Sequence, residues 1–322
     1  MPLAEIGVDL EFMKAFLGKP VTDLPTVCEW WKTAGYDYTL LQVRGQPLPD
    51  SAQEKIVDGV FRNDGPDTAS SFDPHGVHDD QSFESYPWIS PEAIYFKDVD
   101  LIKKCLPEGM KLVVCVGPIF RGILGCMGFE GFAVARVENP ALVKAVADKM
   151  GQITVSAVEN LVQRDYVGGI WLGDDSAYTQ GLMASPDFFR TYIYPYYTQI
   201  GKLCRWHQKL YLYHSDGQLL EVFDDLIGCG IQAIHPNEPT SVDIAELKQE
   251  WGDRLAFVGN IDMDMLSRGT PEQIVEATRY LLEKVAPGGG YALSSGNSLS
   301  KYVSVANYRA MLESAGKYGA IY

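Results

Sequence analysis

Seven short apolar runs, each ending at a polar residue, glycine or proline and each followed by a stretch with helical spacing, constrain this chain more than any other feature. They cover residues 38–44 (YTLLQVR), 112–117 (LVVCVG), 169–174 (GIWLGD), 210–214 (LYLYH), 231–235 (IQAIH), 255–260 (LAFVGN) and 291–295 (YALSS). An eighth is expected within 93–96. Between them, Leu219, Val222, Phe223, Leu226 and Ile227 follow the i, i+3, i+4, i+7 rule. Ser185 before Pro186, and Thr270 before Pro271 and Glu272, combine a capping hydroxyl with proline at the first helical position. Strands alternating with helices make a parallel sheet, and the nearly continuous apolar character of the runs says that both sheet faces are covered.

Two closures compete, an open doubly wound sheet and a barrel. No G-x-G-x-x-G follows the first strand, and 322 residues fit one barrel with an insertion. The expected fold is therefore α/β, a (β/α)8 TIM barrel forming a single domain over 1–322, with an N-terminal helical lead-in. Residues 47–91, rich in Asp, Ser, Gly and Pro, are the expected insertion near the barrel mouth, either a solvated excursion or a lid.

Composition then excludes whole classes of partner. The 27 Lys and Arg face 42 Asp and Glu, and a net charge of −15 repels a nucleic-acid backbone. No stretch approaches 18 uncharged apolar residues, so no membrane span is expected. The six cysteines form no C-x-x-C pair and the first residues lack a basic, then apolar, leader, so reduced thiols and a cytoplasmic location are expected.

In a barrel of this type chemistry sits at the C-terminal strand ends. Those ends supply Arg44 with Gln46, Asp174 and Asp175, His214 with Asp216, His235 with Glu238, Asn260 with Asp262, and Ser294, Ser295 and Asn297. His214 and Asp216, two residues apart in extended chain, point to one side and are placed to hold a cation or a substrate hydroxyl. Asp174 and Asp175, being adjacent, face opposite ways: one enters the mouth while the other is free to cap a helix. Trp88 and Tyr178 are candidates to stack on a planar substrate.

At these residues the chain resembles the uroporphyrinogen decarboxylase-like superfamily, which includes corrinoid-linked methyltransferases. The resemblance is carried by GFEGF (128–132), IWLGDD (170–175), SPDFFRTYIYPYY (185–197), YHSDG (213–217), AIHPNEP (233–239), DIAELKQEWGDRLAFVGNID (243–262), GTPEQI (269–274) and APGGGYALSSGNSL (286–299). It implies the (β/α)8 barrel and two competing reactions. The decarboxylase branch carries an Arg-rich motif after the first strand to grip a tetrapyrrole's carboxylates; here LLQVRGQPLPD (40–50) offers only Arg44. The methyltransferase branch binds zinc through His-x-Cys and a later Cys; this chain keeps His214 but has Asp216 in place of the first Cys, and Ser294, Ser295 and Asn297 where the second would fall.

Such a harder ligand set suits transfer from an oxygen or nitrogen donor better than activation of a thiol. The resemblance thus implies an O-demethylase-type methyltransferase, moving a methyl group from a small O-methylated, aromatic substrate to a corrinoid. The D-x-H-x-x-G corrinoid motif is missing, since Asp73, Pro74 and His75 are followed by His78 where the glycine belongs, so the corrinoid is expected on a partner protein. Expected catalytic residues are His214, Asp216, Asp174, Asp175 and Glu238, with His214, Asp216 and Glu238 as ligands of zinc. Arg44, Gln46, Trp88, Tyr178, His235, Asn260, Asp262 and Asn297 are the expected substrate contacts. A uroporphyrinogen-type decarboxylase is the alternative, and a non-catalytic ligand-binding barrel the third reading.

Overall fold

The cap signals work locally as written. Ser185 accepts from the Phe188 amide ahead of the short helix Pro186–Phe188, and Thr270 forms a reciprocal cap with Gln273 at the start of helix Pro271–Lys284. Each hydroxyl satisfies an N–H that the first turn leaves open, and proline there loses no hydrogen bond. The apolar stripe after Gly217 becomes a 3₁₀ turn, Leu220–Val222, running into helix Phe223–Gly228, with Leu219, Val222, Phe223 and Leu226 buried.

The computed structural model describes residues 1–43, 76–94 and 96–319. The strands are β1 (Tyr38–Gln42), β2 (Lys111–Val116), β3 (Val167–Gly173), β4 (Ala177–Tyr178), β5 (Gly181–Leu182), β6 (Leu210–His214), β7 (Ala233–His235), β8 (Ala256–Ile261) and β9 (Tyr291–Ser295). β4 and β5 form a small antiparallel hairpin. The other seven make one sheet in the order β1-β2-β3-β6-β7-β8-β9, every neighbouring pair parallel. Seven runs read from the sequence thus correspond to the seven strands.

The eighth run does not. Pro91–Ala93 is a 3₁₀ turn and Lys97–Ile102 a helix with Asp98 and Asp100 in its first turn. Proline presets a helical φ and acids favour a helix start, and these override a short apolar string. The gap between β9 and β1 holds the N-terminal residues instead. Ala4 N donates to Leu293 O, Leu293 N to Pro2 O and Leu299 N to Gly7 O, so this segment lies parallel beside β9. On its other side the Tyr38 hydroxyl of β1 donates to the Glu5 carbonyl at 2.6 Å.

The expected lead-in follows as helices Leu10–Leu17 and Leu24–Thr33, whose Phe12, Trp30 and Trp31 pack with Tyr36 and Tyr308 in one aromatic cluster. Burying side chains of this size stabilises by roughly 2–3 kcal/mol each. Of the expected insertion 47–91, residues 47–75 lie outside the described residues, as do Arg44 and Gln46; helix Asp80–Ser85 follows, capped reciprocally by Asp79 and Ser82. None of the six cysteines is in a disulfide. Among the described residues no helix is long and apolar enough to cross a membrane.

Candidate functional site

Parallel pairing brings the strand ends to one place. Gly173, His214 and His235 are in register across β3, β6 and β7, and Asn260 pairs with Ser294 across β8 and β9. Beyond those ends the chain turns polar, and the first two residues after β3 divide as their adjacency requires. Asp174 turns inward: its carboxylate accepts from the amides of Ile119, Phe120 and Arg121 at 2.8–2.9 Å and from the Tyr197 hydroxyl at 2.8 Å. It holds the N-terminus of helix Phe120–Met127, where the helix dipole favours an anion. Burial pushes this carboxyl up to about 6, and the four donors oppose that shift, so it is ionised at neutral pH.

Asp174 was expected among the catalytic acids; with its oxygens engaged and 1% exposure it is a structural anchor instead. Asp174→Ala leaves three amides and a hydroxyl unsatisfied in the interior and is expected to lower unfolding free energy by roughly 3–5 kcal/mol. Urea unfolding measures it. A loss below about 1 kcal/mol would show that the donors find other partners.

Asp175 faces the mouth. Its Oδ1 lies 3.5 Å from His214 Nε2, which is also 3.7 Å from Asp216 Oδ1, and the Asp216 amide donates to Asp175 Oδ1 at 3.1 Å. Asp175, His214 and Asp216 offer one ligand atom each within 4.8 Å of one another, a group able to hold a metal ion. Side-chain exposures of 28%, 13% and 35% leave all three reachable from solvent. Arg121 Nε stands 4.0 Å from Asp175 Oδ2. Burial raises the Asp216 carboxyl above its ordinary value; His214 opposes this, while the charges of Asp175 and Glu238 reinforce it.

Behind His214 lies His235. The two Nδ1 atoms are 2.8 Å apart, so one proton sits between them, and His235 Nε2 is 3.2 Å from Ser294 Oγ. His235 is wholly buried, and burial, aided by the neighbouring His214, holds it well below the usual imidazole range and therefore neutral. It was expected to touch substrate; with no exposed surface it orients the His214 ring instead. When the shared proton belongs to His214, its Nε2 lone pair points at two carboxylates, an arrangement that takes up a cation or a proton.

The remaining expected residues divide between the mouth and the scaffold. Asn297 is at the mouth, donating from Nδ2 to both Asp216 oxygens at 3.0 and 3.2 Å. Glu238, expected as a third metal ligand, is not in the ligand group; its carboxylate accepts from Ser241 Oγ at 3.0 Å, and Asp175 takes the place expected for it. Asn260 is buried and donates to the Asn237 carbonyl, stapling the loop after β7, and Asp262 caps helix Met263–Arg268. These two, expected to contact substrate, are tied to backbone groups in the structure.

Tyr178 lies on the β4–β5 hairpin, which sits against the loop after β6: its carbonyl accepts from Gln218 N at 3.2 Å, and Gly217, at φ +80, leaves no room there for a Cβ. Tyr178 is 53% exposed at that rim. Trp88, expected to stack on substrate, packs with Phe83 and Tyr86 and donates to the Phe83 carbonyl; Tyr86 reaches Cys126, at the far end of helix Phe120–Met127 from the mouth. Two residues at the site carried no expectation. Arg121 follows β2 as an unremarkable cation, and Glu5 shows in sequence only as an acid among apolar neighbours, with nothing to indicate a partner 290 residues away.

These features define a parallel α/β protein whose polar strand ends gather a histidine and two carboxylates at one mouth. The sequence pattern of the uroporphyrinogen decarboxylase (URO-D) family matches residues 65–318, and the chain belongs to that family. A uroporphyrinogen decarboxylase of Coxiella burnetii is 25% identical over 237 residues, 69% of this chain and 62% of that protein. One from Pseudoalteromonas translucida is 29% identical over 82 residues, 26% of this chain and 23% of its own length. The matches thus span less than two thirds of these relatives. Among solved structures, a methyltransferase from Methanosarcina mazei has a TM-score of 0.71 at 14% identity, covering 99% of this chain and 94% of that one. At such identity the likeness is one of fold.

Proposed function

We propose that this protein takes a methyl group from a small O-methylated, aromatic donor and delivers it to a corrinoid carried by a separate protein. The observation that supports this most directly is the trio Asp175, His214 and Asp216 at the mouth, an imidazole with two hard carboxylates and no thiolate. A methyl ether is inert because its departing oxygen is too basic. As the C–O bond breaks, that oxygen keeps the bonding pair and must be met by a proton or a Lewis acid. In this proposal His214 Nε2 holds the proton for it, Asp175 and Asp216 stabilise the protonated ring, and His235 keeps the ring oriented. Tyr178 offers an aromatic face at the rim, leaving the methyl group turned outward toward the corrinoid.

The same three side chains fit a divalent metal. Zinc held there would take the place of the Nε2 proton and supply the Lewis acid for the departing oxygen, with Asp175 rather than Glu238 completing the set. The proposal also takes the sheet to close as a (β/α)8-type barrel, with residues 2–9 between β9 and β1, in a cytoplasmic protein.

The names of the curated relatives favour a second reading, decarboxylation of a porphyrinogen or smaller acid. Against it stand the net charge of −15 and a mouth in which, among the described residues, carboxylates outnumber cations, a poor host for a polycarboxylate. Purified protein incubated with aryl methyl ethers and a corrinoid protein reduced to cobalt(I) separates the two. Loss of the cobalt(I) absorbance that depends on both ether and protein is expected, with about one zinc per chain by elemental analysis. Release of ¹³CO₂ from labelled porphyrinogen without cobalt(I) consumption would overturn the proposal in favour of the second.

A further inference from the structure

Glu5 is wholly buried, and among the described residues its carboxyl hydrogen-bonds with Ser295 and Ser294 at the strand end opposite. Oε1 accepts from the Ser295 amide at 2.9 Å, and Oε2 lies 2.6 Å from Ser295 Oγ. The same Ser295 Oγ lies 2.5 Å from the Asn297 carbonyl. A hydroxyl has one hydrogen, and a carbonyl oxygen has none to give. With Glu5 ionised, Ser295 Oγ donates to Oε2; with the carboxyl neutral, Ser295 gives its hydrogen to the Asn297 carbonyl and the proton in the other contact comes from Glu5. The chain of contacts then runs Glu5 Oε2–H to Ser295 Oγ, Ser295 O–H to Asn297 O, and Asn297 Nδ2 to the Asp216 carboxylate.

We propose that Glu5, as a neutral carboxylic acid, is a positioning residue that acts through Ser295 and Asn297 to set the Asp216 carboxylate beside His214. The N-terminal segment is then part of the site's support as well as the filling between β9 and β1. Burial pushes the Glu5 carboxyl up to about 8, in keeping with the donor role. The titratable groups facing it are Tyr36 and Tyr38 on the β1 side and Tyr308 on helix Val305–Tyr318, all held well above their ordinary range and so uncharged. A glutamine reproduces the pattern, its Oε1 accepting and its Nε2 donating. An alanine does not.

The consequence for catalysis rests on the function proposed above, so the test reads the Asn297 side-chain amide resonance, which needs no activity, together with the affinity for zinc alone. Glu5→Gln is expected to leave the resonance in place and zinc affinity within about twofold. Glu5→Ala should shift the resonance and weaken zinc about tenfold, and the double variant Glu5→Ala/Asn297→Ala should bind no more weakly than Asn297→Ala alone. An unmoved resonance in folded Glu5→Ala, or effects that multiply in the double variant, would overturn the proposal.

Should Glu5→Ala not fold, pH decides. Raising wild type from pH 7 through about 8 removes the donated proton and is expected to move the Asn297 resonance, while Glu5→Gln abolishes that movement. A resonance that stays still in wild type sinks the idea. Absence of zinc binding in wild type would remove the metal from the proposed function and leave the resonance arms to decide this one.

Discussion

Replacing His214 with alanine is expected to lower methyl transfer by about three orders of magnitude while substrate affinity changes only a few-fold. The variant removes the Nε2 that stands 3.5 and 3.7 Å from Asp175 and Asp216, the atom that carries either the proton for the departing oxygen or a bound metal in its place. Donor binding, which in the proposal uses the exposed Tyr178 and the shape of the mouth, stays largely intact. The cost to the fold is bounded. His235 loses its Nδ1 partner inside the protein, worth about 1–3 kcal/mol. A melting point several degrees lower, with unchanged secondary structure by circular dichroism, is the accompanying signature. Single-turnover rates under saturating donor measure the effect; turnover within tenfold of wild type would make His214 part of the scaffold.

The second large effect concerns stability. Glu5 titrates near its ordinary 4.5 in the unfolded chain, whereas burial raises it to about 8 in the folded protein. Between these values the native state holds a proton that the unfolded state has released, so stability is full below about pH 4.5 and falls as pH rises toward 8. The slope is about 1.4 kcal/mol per pH unit, accumulating to on the order of 4–5 kcal/mol. Glu5→Gln titrates in neither state and escapes this loss. Its unfolding free energy is therefore expected to match wild type near pH 4.5 and to exceed it by several kcal/mol at pH 8 and above. Other titrating groups, Asp174 among them, are common to both proteins and cancel in the difference. Urea unfolding of both proteins from pH 5 to 9 makes the comparison, and parallel curves would place the Glu5 carboxyl at its ordinary value in the fold.

The two effects touch different parts of the same end of the molecule. That His214 and Asp216 stand side by side was legible from the sequence, because residues two apart in extended chain point to one side. The split between Asp174 and Asp175 was legible too, since adjacent residues of extended chain diverge, but which of them would turn inward was not. That depended on helix Phe120–Met127, which presents its open amides to Asp174 from 54 residues away in the chain. Glu238 was misplaced for a related reason: its distance from His214 along the chain says little about where a loop residue after β7 points, and Ser241 engages its carboxylate.

The seven strands of the main sheet, the caps at Ser185 and Thr270 and the parallel pairing followed from the sequence alone, because apolar runs, capping hydroxyls and prolines act within a few residues of where they stand. Which polar residues meet was decided by tertiary structure: Asp175 at the histidine, His235 hidden behind it, and Glu5 brought from the N-terminus to Ser295. The energy of a buried polar group depends on the donors, acceptors and water around it, and those are assembled only when segments hundreds of residues apart come together.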